Sequence, residues 1–168
     1  MSEKEFMTKK MILVGMNEAK ISTVDKPIIG TDALATCIGV LLYNEEKKIA
    51  IVAHVPSDPM EAIDNIFNVI IKNKLISTTF KYLIIPGYYE EHYNTKFVLE
   101  KHFSHFIPFD ESMIPSAAVK VDEETTSKEF AFDASTGKFV TDKVYFGIDY
   151  YNVNGYDYVD NYTSSRHR

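Results

Sequence analysis

The residues of this sequence that could do chemistry lie in one stretch, between Gly30 and Pro59. The stretch contains the only cysteine of the chain, Cys37, and one of its five histidines, His54. A thiol beside an imidazole is the minimum set for thiol catalysis, because a histidine cation favours the reactive thiolate. The stretch therefore predicts an active site with Cys37 as the nucleophile and His54 as the general base and acid.

A purely structural role is the alternative for both residues. Free cysteine is among the most often buried residue types and commonly acts as a small apolar side chain. Local context favours chemistry, because Cys37 follows small and polar residues at the start of the next element, where free backbone N–H groups could hold an oxyanion. The predicted oxyanion and substrate loop consists of Asp32, Ala33, Leu34, Ala35 and Thr36.

The other histidines and the cysteine count bear on whether the protein has a metal site or a disulfide. His102 and His105 lie three residues apart without the glutamate of the helical zinc-protease motif, so a solvated helix face explains them better than a metal site. A single cysteine excludes an internal disulfide and a thiolate zinc cage. We expect no metal and no cofactor, because the thiol chemistry expected of Cys37 and His54 needs neither.

Charge and hydropathy bear on partners and location. The net charge is −6 and no Lys/Arg-rich stripe is present, which argues against general nucleic-acid binding. No apolar run approaches the roughly 20 residues of a membrane span, and the first residues lack a secretory apolar core. We expect a monomer without a membrane partner, made in the cytoplasm, with export by a route that needs no cleaved signal left open.

Two apolar runs must position Cys37 and His54. Residues 38–43 and 49–55 flank a polar turn at 44–48, a pattern typical of a β-hairpin with both faces covered. Such a hairpin places residue 37 opposite about residue 55, so that Cys37 and His54 are direct or diagonal neighbours. Residues 28–36 are predicted to be a loop that leads to Cys37.

The rest of the pattern predicts one α/β domain over residues 10–152, with a flexible N-terminus over 1–9 and a loose tail over 153–168. The expected fold is a single-domain sandwich of mixed, mostly antiparallel β-sheet with two main helices. Apolar periodicity predicts the helices at 59–74 and 90–105, and further strands at 11–16, 19–24, 80–85, 117–121, 128–132, 138–141 and 144–150.

The central stretch resembles the signature of the chemoreceptor glutamine deamidase family (CheD). That family has a threonine six residues before its catalytic cysteine and a histidine seventeen residues after it, and Thr31, Cys37 and His54 match this spacing without a gap. Residues 128–140, KEFAFDASTGKFV, resemble the late hairpin of the family. Bacterial toxin deamidases, such as the cytotoxic necrotizing factors and the Burkholderia lethal factor, use a similar Cys–His sandwich.

Three segments depart from the family pattern. The Met-Leu-Pro that often follows the family's histidine is replaced by residues 56–59, PSDP. The glycine-rich step before the family's cysteine is replaced by residues 32–36, DALAT. The family's Gly-Gly-Ala segment after the third core strand is replaced by residues 86–89, PGYY. The catalytic residues therefore match the family more clearly than the loops that would face a substrate.

The resemblance implies a cysteine-dependent amidohydrolase, a protein-glutamine glutaminase that hydrolyses a glutamine side-chain amide to glutamate. Thr31 would orient His54, and the partner would be a protein that presents an exposed glutamine. That protein would be a chemoreceptor or, for a bacterial effector, a host protein. Two other classes stay open: a catalytically silent binding protein with a CheD-like fold, and a cysteine acyl transferase or protease.

Overall fold

The computed structural model describes residues 11–89, 93–110, 112 and 118–141. These residues form two helices and two mostly antiparallel β-sheets, so the predicted mixed fold class is confirmed. The predictions for residues 1–9, 144–150 and 153–168 lie outside the described residues. None of the helices described is long and apolar enough to cross a membrane.

The elements follow one another in an order dominated by strands. The two helices are α1 (Met60–Lys72) and α2 (Tyr93–His102). The strands are β1 (Met11–Val14), β2 (Ala19–Ile21), β3 (Ile28–Leu34), β4 (Ile38–Asn44), β5 (Ile49–Val55), β6 (Lys81–Ile85), β7 (Ile107–Pro108), β8 (Lys120–Asp122), β9 (Ser127–Asp133) and β10 (Lys138–Phe139).

Two sheets pack face to face. The first has the order β1-β3-β9-β10, with β8 beside β9, and the second has the order β2-β5-β4-β6-β7. Phe130 and Phe132 from β9 lie in one buried cluster with Leu41 of β4 and Val52 of β5. Burial of these large apolar side chains removes much apolar surface from water and drives the two sheets together.

The helices cover the other face of the second sheet. The apolar residues of α1 recur at helical spacing, and Ile63, Ile66 and Ile70 lie in one buried cluster with Val40 and Leu42 of β4. Strands β4 and β5 are consequently buried on both faces, which explains why each reads as a continuous apolar run. Cys37 and His54 lie at one end of this double-sided core.

The hairpin of β4 and β5 is confirmed, but its register is shifted by one residue from the prediction. Asn44 pairs with Ile49, so the turn comprises residues 45–48 rather than 44–48. The Asn44 side chain accepts a hydrogen bond from the Lys47 N–H at 2.7 Å, and Lys48 takes a left-handed conformation with φ 54°. The side chain of Asn44, the last residue of β4, thus stabilises the turn that ends the strand.

The predicted loop over residues 28–36 is wrong for most of its length, because residues up to Leu34 form β3. This strand pairs with β1 in parallel and with β9 in antiparallel orientation, and Gly30 lies opposite Ala131. Asp32, Ala33 and Leu34 therefore lie in a strand rather than in a loop, and the Leu34 side chain is buried in the core. The pairing partner β9 lies far along the chain, so the local pattern does not show that residues 28–34 pair with it.

Candidate active site

Cys37 and His54 lie on the inner face of the second sheet. In the hairpin register His54 is opposite Gly39, so Cys37 is its diagonal neighbour across the end of β4. Diagonal neighbours have Cα atoms roughly 7–8 Å apart, within reach of an imidazole side chain. The thiol and the imidazole therefore share one face and one end of the sandwich.

The Thr31 hydroxyl determines which ring nitrogen of His54 carries the proton. Thr31 Oγ1 lies 2.7 Å from the carbonyl oxygen of Val14 and 2.8 Å from His54 Nδ1. A carbonyl oxygen only accepts, so the hydroxyl donates its one proton to Val14 and accepts from Nδ1–H. The neutral imidazole then has its lone pair on the buried Nε2 atom, as a general base requires.

The backbone of His54 is held on both sides. On one side it pairs with Gly39 of β4. On the other side the Asn17 N–H donates to the His54 carbonyl oxygen at 2.8 Å, and the His54 N–H donates to the Glu18 carbonyl oxygen at 3.2 Å. Because Thr31 belongs to the first sheet and His54 to the second, their side-chain hydrogen bond also ties the two sheets together.

Apolar side chains surround the pair. A Cβ atom on Gly39 would lie 2.6 Å from Cε1 of Phe130 and 3.2 Å from Cδ1 of Leu34, so the glycine makes room for both side chains next to His54. Cys37 is 1% exposed, and Thr31 and His54 are fully buried. A thiolate–imidazolium pair in such surroundings is shielded from water and interacts more strongly than at a surface.

Residues 35–37, called the nucleophile loop below, connect β3 to β4. The segment of residues 87–89 lies against this loop. The Tyr88 N–H donates to the Leu34 carbonyl oxygen at 2.9 Å, and the Tyr89 N–H donates to the Ala35 carbonyl oxygen at 3.1 Å. No sequence pattern beyond the Pro86-Gly87 step signals this contact, because it joins residues about 50 positions apart.

Gly87 allows this close approach, and we expect Gly87→Ala to displace the nucleophile loop. The added Cβ would contact the Cys37 carbonyl oxygen and lie 2.6 Å from that of Ala35. We expect a loss of about 1–3 kcal/mol in the free energy of unfolding, measured with urea, because backbone atoms must move. Gly15→Ala is the matched control, since its Cβ would meet only the end of the flexible Glu18 side chain. Equal stability of the two variants would contradict the assigned packing.

Ala33 adopts a backbone conformation that glycine favours. Its φ angle is 54°, at an irregularity in the pairing of β3 with β9 between Thr31 and Leu34. Left-handed conformations cost an alanine roughly 1 kcal/mol and a β-branched residue more. The backbone therefore bends before Cys37 at a residue that lacks the conformational freedom of glycine.

This bend makes a prediction for two substitutions at Ala33. We expect Ala33→Val to lower the free energy of unfolding by about 1–2 kcal/mol, because the β-branched side chain fits φ 54° poorly. Ala33→Gly should stay within about 1 kcal/mol of the original protein, since relief of strain offsets the greater freedom of the unfolded chain. Urea unfolding of the three proteins measures both effects, and a valine variant as stable as the glycine variant would refute them.

The side chains of Tyr88 and Tyr89 form hydrogen bonds with the turn between β8 and β9. The Tyr88 hydroxyl donates to Glu123 Oε2 at 2.6 Å, and the Tyr89 hydroxyl donates to Thr126 Oγ1 at 3.3 Å. The hydrogen bond to the Glu123 carboxylate raises the pKa of Tyr88 above its usual range, because it stabilises the protonated phenol. Tyr88 therefore stays a hydrogen-bond donor throughout the neutral pH range.

The five residues predicted as the oxyanion and substrate loop have different positions. Thr36 is exposed and Ala35 is half-buried, and both lie in the nucleophile loop next to Cys37. Asp32 and Ala33 are half-buried and Leu34 is fully buried, all within β3. The prediction from sequence missed the Val14 carbonyl oxygen and Gly87, whose roles depend on backbone atoms that carry no residue-type signal.

No group of three or more metal-ligating side chains occurs among the residues that the structure describes. A cavity of about 730 Å³ lies at the opposite end of the sandwich, where Tyr43, Lys81 and Phe109 contribute to its walls. It is separate from the Cys37 end, because Tyr43 and Gly39 lie toward opposite ends of β4.

No protein-family model matches the sequence, and no curated protein matches it significantly. The likeness to the glutamine deamidases consequently depends on the residues and spacing of the stretch around Thr31, Cys37 and His54.

Proposed function

We propose that this protein is a cysteine-dependent amidohydrolase that converts a glutamine side chain of a protein substrate to glutamate. The observation that carries the proposal is the hydrogen bond between Thr31 Oγ1 and His54 Nδ1, on the same inner face as the only cysteine. This bond leaves Nε2 as the basic nitrogen, and a base held by a third group is the arrangement that activates a thiol.

The first half of the reaction forms a thioester. His54 Nε2 takes the Cys37 thiol proton, and the sulfur bonds to the carbon of the glutamine amide. The C–N bond then breaks, and the imidazolium returns its proton to the nitrogen, which leaves as ammonia. No redox step and no external acid is needed, because His54 both receives and gives the same proton.

The second half hydrolyses the thioester. A water molecule gives a proton to His54 Nε2 while its oxygen bonds to the acyl carbon, and the Cys37 sulfur leaves and recovers the proton. The products are a glutamate side chain and the free enzyme. The same chemistry would serve a chemoreceptor or a host protein as substrate.

The nucleophile loop offers a donor for the oxyanion. The Ala35 carbonyl oxygen accepts from Tyr89, and none of the described peptide bonds is cis. The Thr36 N–H therefore points away from residues 87–89, on the opposite side of its peptide plane. We assign this N–H as the backbone donor to the oxyanion.

Product analysis tests this proposal. We would incubate the purified protein with casein and with short glutamine-containing peptides, then measure released ammonia and search by mass spectrometry for glutamine converted to glutamate. Deamidation with an intact peptide backbone supports the proposal. Backbone cleavage assigns a protease, and incorporation of added methylamine without net hydrolysis assigns an acyl transferase.

A catalytically silent binding protein is the second candidate, and the burial of the site favours it. Cys37 is 1% exposed, which is also what a structural cysteine would show. Iodoacetamide separates the two, since a thiolate paired with an imidazolium reacts at about pH 6, whereas an ordinary thiol needs a pH of about 8 or more. Alkylation confined to the alkaline range would favour the silent protein.

A further inference from the structure

The orientation of one peptide plane decides whether the nucleophile loop can stabilise an oxyanion. The plane joins Ala35 to Thr36, and its carbonyl oxygen and N–H point in opposite directions because none of the described peptide bonds is cis. Rotation of the plane by half a turn would put the Ala35 carbonyl oxygen where the Thr36 N–H now points. A partial negative charge would then face the developing oxyanion and raise the barrier to the reaction.

This plane lies where the chain is open to solvent. Thr36 is exposed and Ala35 is half-buried, so water can bond to the plane in either orientation. The Ala35 N–H donates to the Ala33 carbonyl oxygen at 3.0 Å, but that bond holds the preceding plane, between Leu34 and Ala35. Because a peptide in an exposed loop can satisfy its polar groups with water, its orientation depends on the bond that its carbonyl oxygen makes with the protein.

Residues 87–89 provide that bond from a rigid base. They follow β6 directly, and β6 pairs with β4 along its whole length. Gly87 is buried, and an added Cβ there would lie 2.6 Å from the Ala35 carbonyl oxygen, so the two segments are in close contact. The Tyr89 N–H donates to the Ala35 carbonyl oxygen at 3.1 Å. The donor is therefore held by the second sheet and not by the loop that it orients.

We propose that Tyr89 is a positioning residue, whose backbone N–H holds the plane between Ala35 and Thr36 so that the Thr36 N–H faces the oxyanion. This role rests on the proposed function, because the oxyanion forms only during attack on an acyl carbon. The backbone performs the role and the phenol does not, since the Tyr89 hydroxyl donates to Thr126 Oγ1 on the turn between β8 and β9.

Exchange of an amide for an ester tests one backbone N–H at a time. Replacement of a residue by the corresponding α-hydroxy acid turns its N–H into an ester oxygen and keeps the side chain. We would make this replacement singly at Tyr89, Tyr88 and Thr36, and measure kcat and KM for glutamine deamidation. Tyr88 is the matched control, because its N–H donates to the Leu34 carbonyl oxygen at 2.9 Å, in the neighbouring peptide plane. Unfolding in urea shows whether each variant is folded.

We expect the esters at Tyr89 and Thr36 each to lower kcat by about 10²-fold or more with KM nearly unchanged, as for the loss of one oxyanion donor. At Tyr89 the ester oxygen also repels the Ala35 carbonyl oxygen and favours rotation of the plane. The ester at Tyr88 should keep kcat within about tenfold of the original, which is the scale of one neutral hydrogen bond. Equal losses at Tyr88 and Tyr89, or a normal kcat with the ester at Thr36, would overturn the positioning role.

Alkylation separates positioning from general damage to the site. Iodoacetamide reacts by displacement of iodide at carbon and forms no oxyanion, so all three esters should react at Cys37 with the original rate. Because the chain has one cysteine, the reagent reports on this thiol alone. If the ester at Tyr89 slowed alkylation by the same factor as kcat, the loss would belong to the thiol, and Tyr89 would not position the oxyanion donor.

The same series distinguishes the positioning role from the proposed function. Absence of deamidation by the original protein would remove the proposed function and the positioning role with it. An active original protein in which the esters at Tyr88 and Tyr89 behave alike would retain the function and remove only the role of Tyr89.

Discussion

Cys37→Ser is expected to lower the deamidation rate by at least about 10³-fold, because a serine hydroxyl is a far weaker nucleophile than a thiolate held beside an imidazolium. Ammonia release and mass spectrometry of a glutamine substrate measure the loss. The exchange of sulfur for oxygen changes little volume, so the variant should fold. Cys37→Ala provides the comparison, and both variants should retain the same small residual rate.

Chemical labelling supplies the control for this prediction. Prior alkylation of the original protein with iodoacetamide should remove activity in step with the fraction of Cys37 modified, since Cys37 is the only cysteine. The serine variant should neither react nor change further. Normal activity of the serine variant would rule out a mechanism with Cys37 as the nucleophile, whatever the labelling showed.

Thr31→Val is expected to have the second largest effect, on activity and on stability together. The hydroxyl bonds to Val14 and His54 at once, and both partners lie where water does not reach. Its removal leaves a buried carbonyl oxygen and a buried ring N–H without this partner, a cost on the order of 3 kcal/mol in the free energy of unfolding. Without it the imidazole is also free to carry its proton on Nε2, which cannot then accept the thiol proton.

We expect the valine variant to lose about 10²-fold or more in deamidation rate, as for the loss of an orienting group in a triad. Thr31→Ser is the matched control, because it keeps the hydroxyl and removes only a methyl group. The serine variant should stay within about tenfold of the original rate. A valine variant as active as the serine variant would show that the hydroxyl does not orient His54.

The pH dependence distinguishes orientation from mere loss of stability. A hydrogen-bond acceptor at Nδ1 favours the charged imidazolium, and the imidazolium in turn favours the thiolate of Cys37. In Thr31→Val, alkylation by iodoacetamide should therefore slow more at about pH 6 than at about pH 9, where a thiolate forms without help. A structural defect alone would change the two rates by the same factor.

Local sequence determined the elements that carry their own periodicity. The apolar runs around a polar turn specified the β4–β5 hairpin, and the spacing of Ile63, Ile66 and Ile70 specified α1. These predictions succeed because strand alternation and helical spacing are properties of neighbouring residues. The candidate nucleophile and base were likewise visible as residue types, since the chain has one cysteine and places His54 on the partner strand.

Tertiary structure decided what joins distant parts of the chain. Residues 28–34 read as a loop but form β3, because β9 supplies the hydrogen bonds that make them a strand. The hairpin register shifted by one residue because Asn44 belongs to β4. The contact of residues 87–89 with the nucleophile loop likewise depends on two backbone hydrogen bonds, which residue types do not predict.

The site itself combines the two kinds of information. The sequence by itself determined that Thr31 stands six residues before Cys37 and His54 seventeen residues after it, because spacing is a property of the chain. Only the tertiary structure placed the Thr31 hydroxyl between the Val14 carbonyl oxygen and His54 Nδ1. That placement requires both sheets, since Thr31 and Val14 belong to one and His54 to the other, and the direction of a hydrogen bond depends on where all three atoms lie.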